Sequence, residues 1–294
     1  MLIFNTTRNL FRLLFLVLAL SLQAQADSGQ SRGLLWKIEG ASSRPSYLLG
    51  TMHSEDPRVV KLAPAVKTIF DRADSFSAEL DMNMENLLQS SQRMFYTDDT
   101  TLKSLIDARL YQDSVTLLAK YGIPEMLVER MKPWAVATTL SMPKTETGQF
   151  LDLVLFRQAQ ATGKKVYGLE TIDEQLAVFE NMPLKQQINM LRDAVRDYDA
   201  GQVMLAELLE LYIQRDLEGV RELSERYMDK GDDSVAAYFQ KTIIDDRNLR
   251  MLQRMQARLK EGNAFIAVGA LHLTGEKGLL HLLEKQGLKV SPVY

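Results

Sequence analysis

The sequence predicts an α/β fold in which one mixed sheet is formed from the N- and C-terminal segments, with large helical insertions between them. Strand-type runs occur near both ends and once in the middle, and helical patterns fill the stretches between them. An apolar strand, a Gly-x-x-His motif, a loop, a helix and a strand follow one another at 46–82 and again at 264–293. We expect these two copies to pair around a common site.

The first 26 residues are typical of a secretory signal peptide. Arg8 and Arg12 precede a short apolar run over 13–22, and Ala24-Gln25-Ala26 has the small residues at which signal peptidases cleave. This run is about half as long as a membrane-spanning helix, which needs roughly 20 apolar residues. We therefore expect residues 27–294 to be periplasmic or secreted, without stable membrane insertion after cleavage.

Composition excludes several classes of protein and of site. The formal net charge is −3 and no basic stripe is present, so nucleic acid is not an expected partner. Cysteine is absent, which suits an oxidising compartment and excludes thiolate metal ligands and cysteine nucleophiles. The length after the signal peptide suffices for a large core, so we predict one domain over 27–294 with helical insertions at about 84–162 and 184–261.

The first predicted elements are a hairpin and a helix. Strand-type runs at 34–39 and 46–49 flank a turn that contains Gly40 and Pro45. Apolar residues at helical spacing then predict a helix over 60–72.

A strand is predicted over 75–82, with one apolar face and one polar face. Ser77, Glu79 and Asp81 share the polar face, whereas the residues between them pack on a core. Glu79 follows His53 by a crossover of ordinary length, which is expected to bring it to a neighbouring strand edge.

Helical patterns dominate the middle of the chain. A strand at 164–169 and a capping box at Thr171-Ile-Asp-Glu174 separate the two helical stretches. The second stretch has expected breaks near Ala200-Gly201 and at 231–233. The last predicted elements are a strand over 264–268, a helix over 275–286 and a strand over 288–293.

Two of the three histidines occupy the same local setting. Tyr47-Leu-Leu-Gly-Thr-Met-His53 and Ile266-Ala-Val-Gly-Ala-Leu-His272 each place an imidazole just beyond an apolar strand. Ligands of α/β sheets bind at that edge, and neutral imidazole is a common ligand of borderline metals. One such histidine is more often a hydrogen-bonded core residue, but two in duplicate indicate a metal site. His281 lies within a helix and is interpreted as structural or solvent-facing.

Carboxylates and an arginine complete the candidate site. Glu79 is predicted to be a metal ligand or general base, and Asp81 either a group that orients a histidine or a helix cap. Glu170 directly follows the strand at 164–169 and is a candidate third acid, although an acid before a helix also favours the helix dipole. Glu170 or Asp81 is the predicted proton acceptor of the site. Arg247, next to Asn248, is a candidate for holding a substrate carboxylate or stabilising an oxyanion, or for pairing with Asp245 or Asp246.

An ordered set of motifs resembles the TraB/GumN family, which is related to the Tiki metalloproteases, the pheromone-shutdown proteins and the erythromycin-esterase and ChaN-like folds. The resemblance extends over nearly the whole chain after the signal peptide. Its motifs are Leu35-Trp-Lys-Ile-Glu, Tyr47-Leu-Leu-Gly-Thr-Met-His, Lys132-Pro-Trp, Tyr167-Gly-Leu-Glu-Thr, Asp246-Arg-Asn and Val268-Gly-Ala-Leu-His-Leu.

The resemblance implies a mixed-sheet fold and a hydrolytic centre made of both Gly-x-x-His histidines and a glutamate, here His53, His272 and Glu79. It also implies a divalent ion such as manganese or cobalt, and the histidines are equally suited to zinc. The function predicted is therefore metal-dependent hydrolysis of peptide or protein substrates. Two alternatives use the same residues: a non-catalytic peptide- or metal-binding protein, and hydrolysis without a metal.

Overall fold

The computed structural model describes residues 32–294, so the signal peptide predicted at 1–26 lies outside the described residues. Within them, a six-stranded mixed sheet surrounded by helices confirms the predicted α/β class. The strands are β1 Leu35–Glu39, β2 Ser46–Thr51, β3 Ser75–Leu80, β4 Lys165–Glu170, β5 Ala264–Gly269 and β6 Lys289–Pro292.

The sheet joins the two ends of the chain in the order β4-β3-β5-β2-β1-β6. β5 lies between β2 and β3 and is parallel to both, and β3 is parallel to β4. β1 forms the predicted hairpin with β2 and also pairs with β6 in antiparallel register. The carboxyl ends of β2, β3, β4 and β5 therefore meet at one edge of the sheet.

The helices fall into groups between the strands. α1 (Pro57–Val60) and α2 (Pro64–Arg72) connect β2 with β3. Between β3 and β4 lie α3 Met84–Arg93, α4 Leu102–Leu105, α5 Ala108–Ala119, α6 Glu125–Val128, α7 Pro133–Leu140 and α8 Leu151–Ala161. Between β4 and β5 lie α9 Ile172–Glu180, α10 Leu184–Arg196, α11 Tyr198–Ile213, α12 Leu217–Met228, α13 Asp233–Tyr238, a π-helix Phe239–Asp245 and α14 Asp246–Glu261. A 3₁₀ turn, Ala270–His272, and α15 Leu279–Lys285 precede β6.

Several predicted boundaries differ from the structure, and the largest differences are in the helices. The helix expected over 60–72 begins at Pro64, because proline disfavours a helical conformation in the residue before it. The break expected at Ala200-Gly201 is wrong, since α11 runs through both residues. Gly201 serves close packing there: a Cβ at this position would lie 3.0 Å from the Tyr227 hydroxyl oxygen.

Buried side chains form two hydrophobic clusters. The larger one covers the sheet, where Phe70 meets the rings of Phe76 and Phe265 edge-on. The second lies among the helices of the inserted segments and contains Trp134, which stacks on Phe179 with 5.3 Å between ring centroids. Among residues 32–294, no helix is both long enough and apolar enough to cross a membrane.

Candidate functional site

The two Gly-x-x-His motifs lie side by side at the carboxyl edge of the sheet. Thr51 at the end of β2 pairs with Gly269 at the end of β5. His53 lies two residues beyond the end of β2, and His272 is the last residue of the 3₁₀ turn that follows β5. The parallel register thus brings both imidazole-bearing loops to the same edge, as the repeat predicts.

Glu79 belongs to β3, which neighbours β5 but not β2, so its carboxylate lies beside His272. The Glu79 Oε1 atom is 3.7 Å from His272 Nε2 and accepts the backbone N–H of Gly269 at 2.6 Å. A Cβ on Gly269 would come within 3.2 Å of that carboxylate oxygen. Glycine in the second motif therefore lets the carboxylate approach the backbone at the strand end.

Arg247 keeps Glu79 ionised. Burial raises the pKa of the Glu79 carboxyl, but the charge of Arg247 and the adjacent His272 lower it to about 2. The guanidinium Nη2 lies 2.5 Å from Glu79 Oε2. Because His272 is itself neutral near pH 7, Arg247 is the cation that stabilises the ionised Glu79 carboxylate at that pH.

His272 is held in one orientation by Asn248. Burial lowers the pKa of His272 to about 4, so the ring is neutral near pH 7. Its Nδ1 lies 2.7 Å from Asn248 Oδ1, and the Asn248 amide nitrogen donates to the Lys277 carbonyl at 2.8 Å. That second bond orients the amide with its oxygen towards the ring, so we assign the proton to Nδ1 and the lone pair to Nε2.

His53 has a different environment. Its side chain is 50% exposed and its ring stacks on Phe150, with 4.7 Å between ring centroids. His53 Nδ1 lies 3.5 Å from Oδ2 of the buried Asp152. The other Asp152 oxygen, Oδ1, accepts the Thr51 hydroxyl at 2.6 Å. A protein carboxylate at Nδ1 is a common arrangement for a histidine that binds metal through Nε2.

Asp152 is a candidate residue that the sequence analysis missed. Its Oδ2 atom is buried without a hydrogen-bond partner within the described structure, and burial raises the pKa of the carboxyl. The charges of both His53 and Glu79 influence that pKa, so these side chains belong to one electrostatic cluster. The available signal was an acid in the otherwise apolar first turns of α8, Leu151-Asp-Leu-Val-Leu-Phe.

Glu170 forms the buried end of an ion network. Its side chain is 0% exposed, and Oε2 accepts from Arg247 Nη2 at 2.6 Å and from Nε at 2.8 Å. Arg250 Nη1 lies 2.8 Å from the other oxygen, Oε1. Because both Glu170 oxygens accept hydrogen bonds from arginines, this geometry disfavours the predicted role of Glu170 as the proton acceptor. Arg247 likewise lies between two carboxylates, which favours a positioning role over the predicted stabilisation of an oxyanion.

Asp81 lies beyond the strand in which it was predicted. β3 ends at Leu80, and the Asp81 carboxylate accepts the backbone N–H of Asn83 just before α3. The N-cap of α3 is Asn83, whose side chain accepts the Asn86 N–H, so the Asp81 carboxylate forms a local turn before the cap and takes neither the helix-capping nor the histidine-orienting role predicted for it.

The donor chemistry of the site fits a borderline divalent ion. It offers two imidazoles and two carboxylates, and the unpartnered Asp152 Oδ2 is a buried oxygen that a cation or a proton would satisfy. Among residues 32–294, however, no three His, Cys, Asp or Glu side chains converge into a ready ligand set.

The chain is similar to proteins of the same general length and to longer ones. A family model described as the TraB/PrgY/gumN family matches residues 34–292. The metalloprotease TIKI homolog of Amphimedon queenslandica is 22% identical over 322 residues, covering 90% of this chain and 62% of that protein. Metalloprotease TIKI1 of Danio rerio is 23% identical over 309 residues, covering 87% and 62%.

A third relative is similar in length. The uncharacterized protein YbaP of Shigella flexneri is 21% identical over 259 residues, covering 82% of this chain and 88% of that protein. By contrast, the chain spans about six tenths of the length of the two TIKI proteins. The family model covers nearly every described residue, and the chain therefore belongs to the TraB/PrgY/gumN family.

Proposed function

We propose that this chain is an exported, divalent-metal-dependent hydrolase that cleaves peptide bonds in the periplasm. Export rests on the signal-peptide pattern at 1–26, and the substrate class on the similarity to proteins named metalloproteases. The observation that carries the proposal is the pair formed by Glu79 and His272. An ionised carboxylate and a neutral imidazole meet there at the ligand-binding edge of the sheet.

His53, His272 and Glu79 would hold the ion, for which manganese, cobalt and zinc are the candidates. Asn248 is hydrogen-bonded to Nδ1 of His272, and Asp152 Oδ2 lies 3.5 Å from Nδ1 of His53, so Nε2 is the proposed coordinating atom of each histidine. When bound, such an ion lowers the pKa of water and polarises a carbonyl group.

The other residues set the charge of Glu79, the orientation of His272 and the proton acceptor. Arg247 keeps Glu79 negatively charged, and Asn248 keeps the His272 lone pair on Nε2. Asp152 is the proposed proton acceptor, because burial raises the pKa of its carboxyl and its Oδ2 has no hydrogen-bond partner in the described structure. Glu170 and Asp81, the acceptors predicted from sequence, are engaged elsewhere.

The experiment is a peptide-library cleavage assay on residues 27–294 with and without Mn²⁺, Co²⁺ or Zn²⁺, together with elemental analysis. We expect metal-dependent cleavage, and its loss in Glu79→Gln, His53→Ala and His272→Ala. His281→Ala is the matched control and should retain activity. Unfolding is measured in parallel, because truncating the buried His272 also leaves Asn248 without its partner.

Other outcomes identify the alternatives. Variants that lose bound metal while the wild type cleaves nothing indicate a non-catalytic binder that uses the same cleft. Cleavage that persists after chelation indicates hydrolysis without a metal.

A further inference from the structure

A single carboxylate organises the segment that leads into α8. Glu55, two residues after His53, accepts three backbone N–H groups from the 146–149 turn. The distances are 2.8 Å from Glu146, 3.0 Å from Thr147 and 3.1 Å from Gln149. Convergent N–H groups of this kind bind an anion.

Gly148 makes the convergence possible. Its φ of +70° is in the left-handed region, and a Cβ there would meet nothing within 4 Å. The glycine is therefore required for backbone conformation and not for space. With this residue left-handed, the amides on either side of it turn towards the same carboxylate.

The anchored turn is followed directly by two residues of the candidate site. Phe150 directly precedes α8 and stacks on the His53 ring with an interplanar angle of 19°. Asp152, in the first turn of α8, lies 3.5 Å from His53 Nδ1. His53 is half exposed, and the stacking of Phe150 and the nearby Asp152 carboxylate restrict its ring.

We propose that Glu55 is a positioning residue: by holding the 146–149 turn, it places Phe150 and Asp152 against the His53 imidazole. The effect on catalysis rests on the function proposed above, whereas the effect on the ring does not. The hydrogen bonds of the Glu55 carboxylate go to the 146–149 backbone, so it acts through the segment that it anchors.

The test uses the fact that the chain contains only three histidines, so their ring resonances can be resolved by NMR and assigned with single variants. In Glu55→Ala, the His53 ring protons should move downfield as the shielding by Phe150 is lost. The amides of 146–149 should exchange faster with deuterium. Phe150→Leu should reproduce the shift, and Glu55→Gln, which keeps an acceptor oxygen, should retain part of the wild-type spectrum.

Glu146→Ala is the matched control, because the contribution of this residue to the turn is its backbone N–H. It should leave all three histidines unchanged. In a cleavage assay, Glu55→Ala should lower kcat/KM by about 10- to 100-fold, the usual effect of losing a group that orients a ligand or a reacting residue.

Two results would overturn the inference. One is an unchanged His53 resonance with unchanged exchange at 146–149 in Glu55→Ala. The other is an equal shift of all three histidines with a lower melting temperature, which indicates a general structural role. If the His53 shift occurs but the wild type cleaves no peptide, the positioning role stands and the proposed hydrolase function fails.

Discussion

At the scale of single residues, Arg247 is the group on which the described site depends most. Its side chain is 8% exposed and bridges Glu79 to Glu170. Removing one partner of a buried ion pair leaves an uncompensated charge, which costs more than the pair contributes. Arg250 binds the same Glu170 from a side chain that is 31% exposed, so it provides a natural comparison.

We expect Arg247→Ala to lower the free energy of unfolding by about 3–5 kcal/mol, because Glu79 loses its cation and the buried Glu170 keeps only the partly exposed Arg250. Arg250→Ala should cost roughly 1 kcal/mol, since Arg247 still neutralises Glu170. Arg247→Lys keeps the positive charge but loses the several N–H donors of the guanidinium, so its loss of unfolding free energy should lie between those of the two alanine variants. Urea unfolding at pH 7 measures all three, and equal costs for the two alanine variants would contradict the bridging role.

Sequence alone could place some of these residues and not others. His53 and His272 reach one edge because strand ends in parallel register meet there, which follows from the repeated motif. Glu79 was expected at a neighbouring edge, but the sequence does not say that β5 separates it from β2. The sequence shows Asp152 as an acid in an apolar helix start but does not place it at the site, because its contact with Thr51 depends on how a helix 101 residues further along the chain packs.

At the scale of elements, local signals predicted the start of α9 and missed the π-helix before α14. The capping box of Thr171 and Glu174 forms as expected, with each side chain bonded to the other residue's backbone N–H. The π-helix Phe239–Asp245 has no comparable signature, and it immediately precedes the turn that carries Arg247. π-helical turns are rare and frequently lie at functional sites.

The charge of Glu174 should make the stability of this element dependent on pH. Its hydrogen bond with Arg254 is the main cause that lowers its pKa from 4.5 to about 2. A depressed carboxylate pKa contributes stability above the unfolded value of 4.5, and that contribution is lost as the pH falls from 4.5 towards 2.

Glu174→Gln keeps an oxygen for the capping bond but removes the charge. We expect it to be about 1 kcal/mol less stable than wild type at pH 7, with the difference vanishing near pH 2. Glu85→Gln, in the first turn of α3, is the control and should show a smaller change. Chemical unfolding at a series of pH values provides the measurement, and a constant difference between pH 7 and pH 2 would argue against the ion pair.

At the scale of the whole molecule, the sheet brings together strands that are distant in the sequence. The order β4-β3-β5-β2-β1-β6 places β5 from the end of the chain between two strands from its beginning. Strand patterns predicted that both ends contribute, but not the order, because alternation of apolar residues shows which face is buried and not which strand is adjacent. The candidate site lies where β2, β5 and β3 meet, so its histidines come from opposite ends of the chain.

A ligand that bridges these strands should stabilise the entire fold. An ion that binds only the native state adds RT ln(1 + [L]/Kd), about 2.7 kcal/mol at a hundredfold excess over Kd. For a chain of this size, that corresponds to a rise in melting temperature of roughly 5–10 °C. We expect Mn²⁺, Co²⁺ or Zn²⁺ to produce this rise in a differential scanning experiment, increasing with the logarithm of concentration above Kd.

The variants separate site binding from general effects of the ion. His53→Ala and His272→Ala should each lose the rise, whereas His281→Ala should keep it, because only the first two histidines lie at the shared strand edge. A rise that survives in both site variants would indicate binding elsewhere on the protein. If the wild type shows no rise with any of the three ions, the metal-dependent function is wrong, since an ion that binds the native state and not the unfolded chain must raise stability.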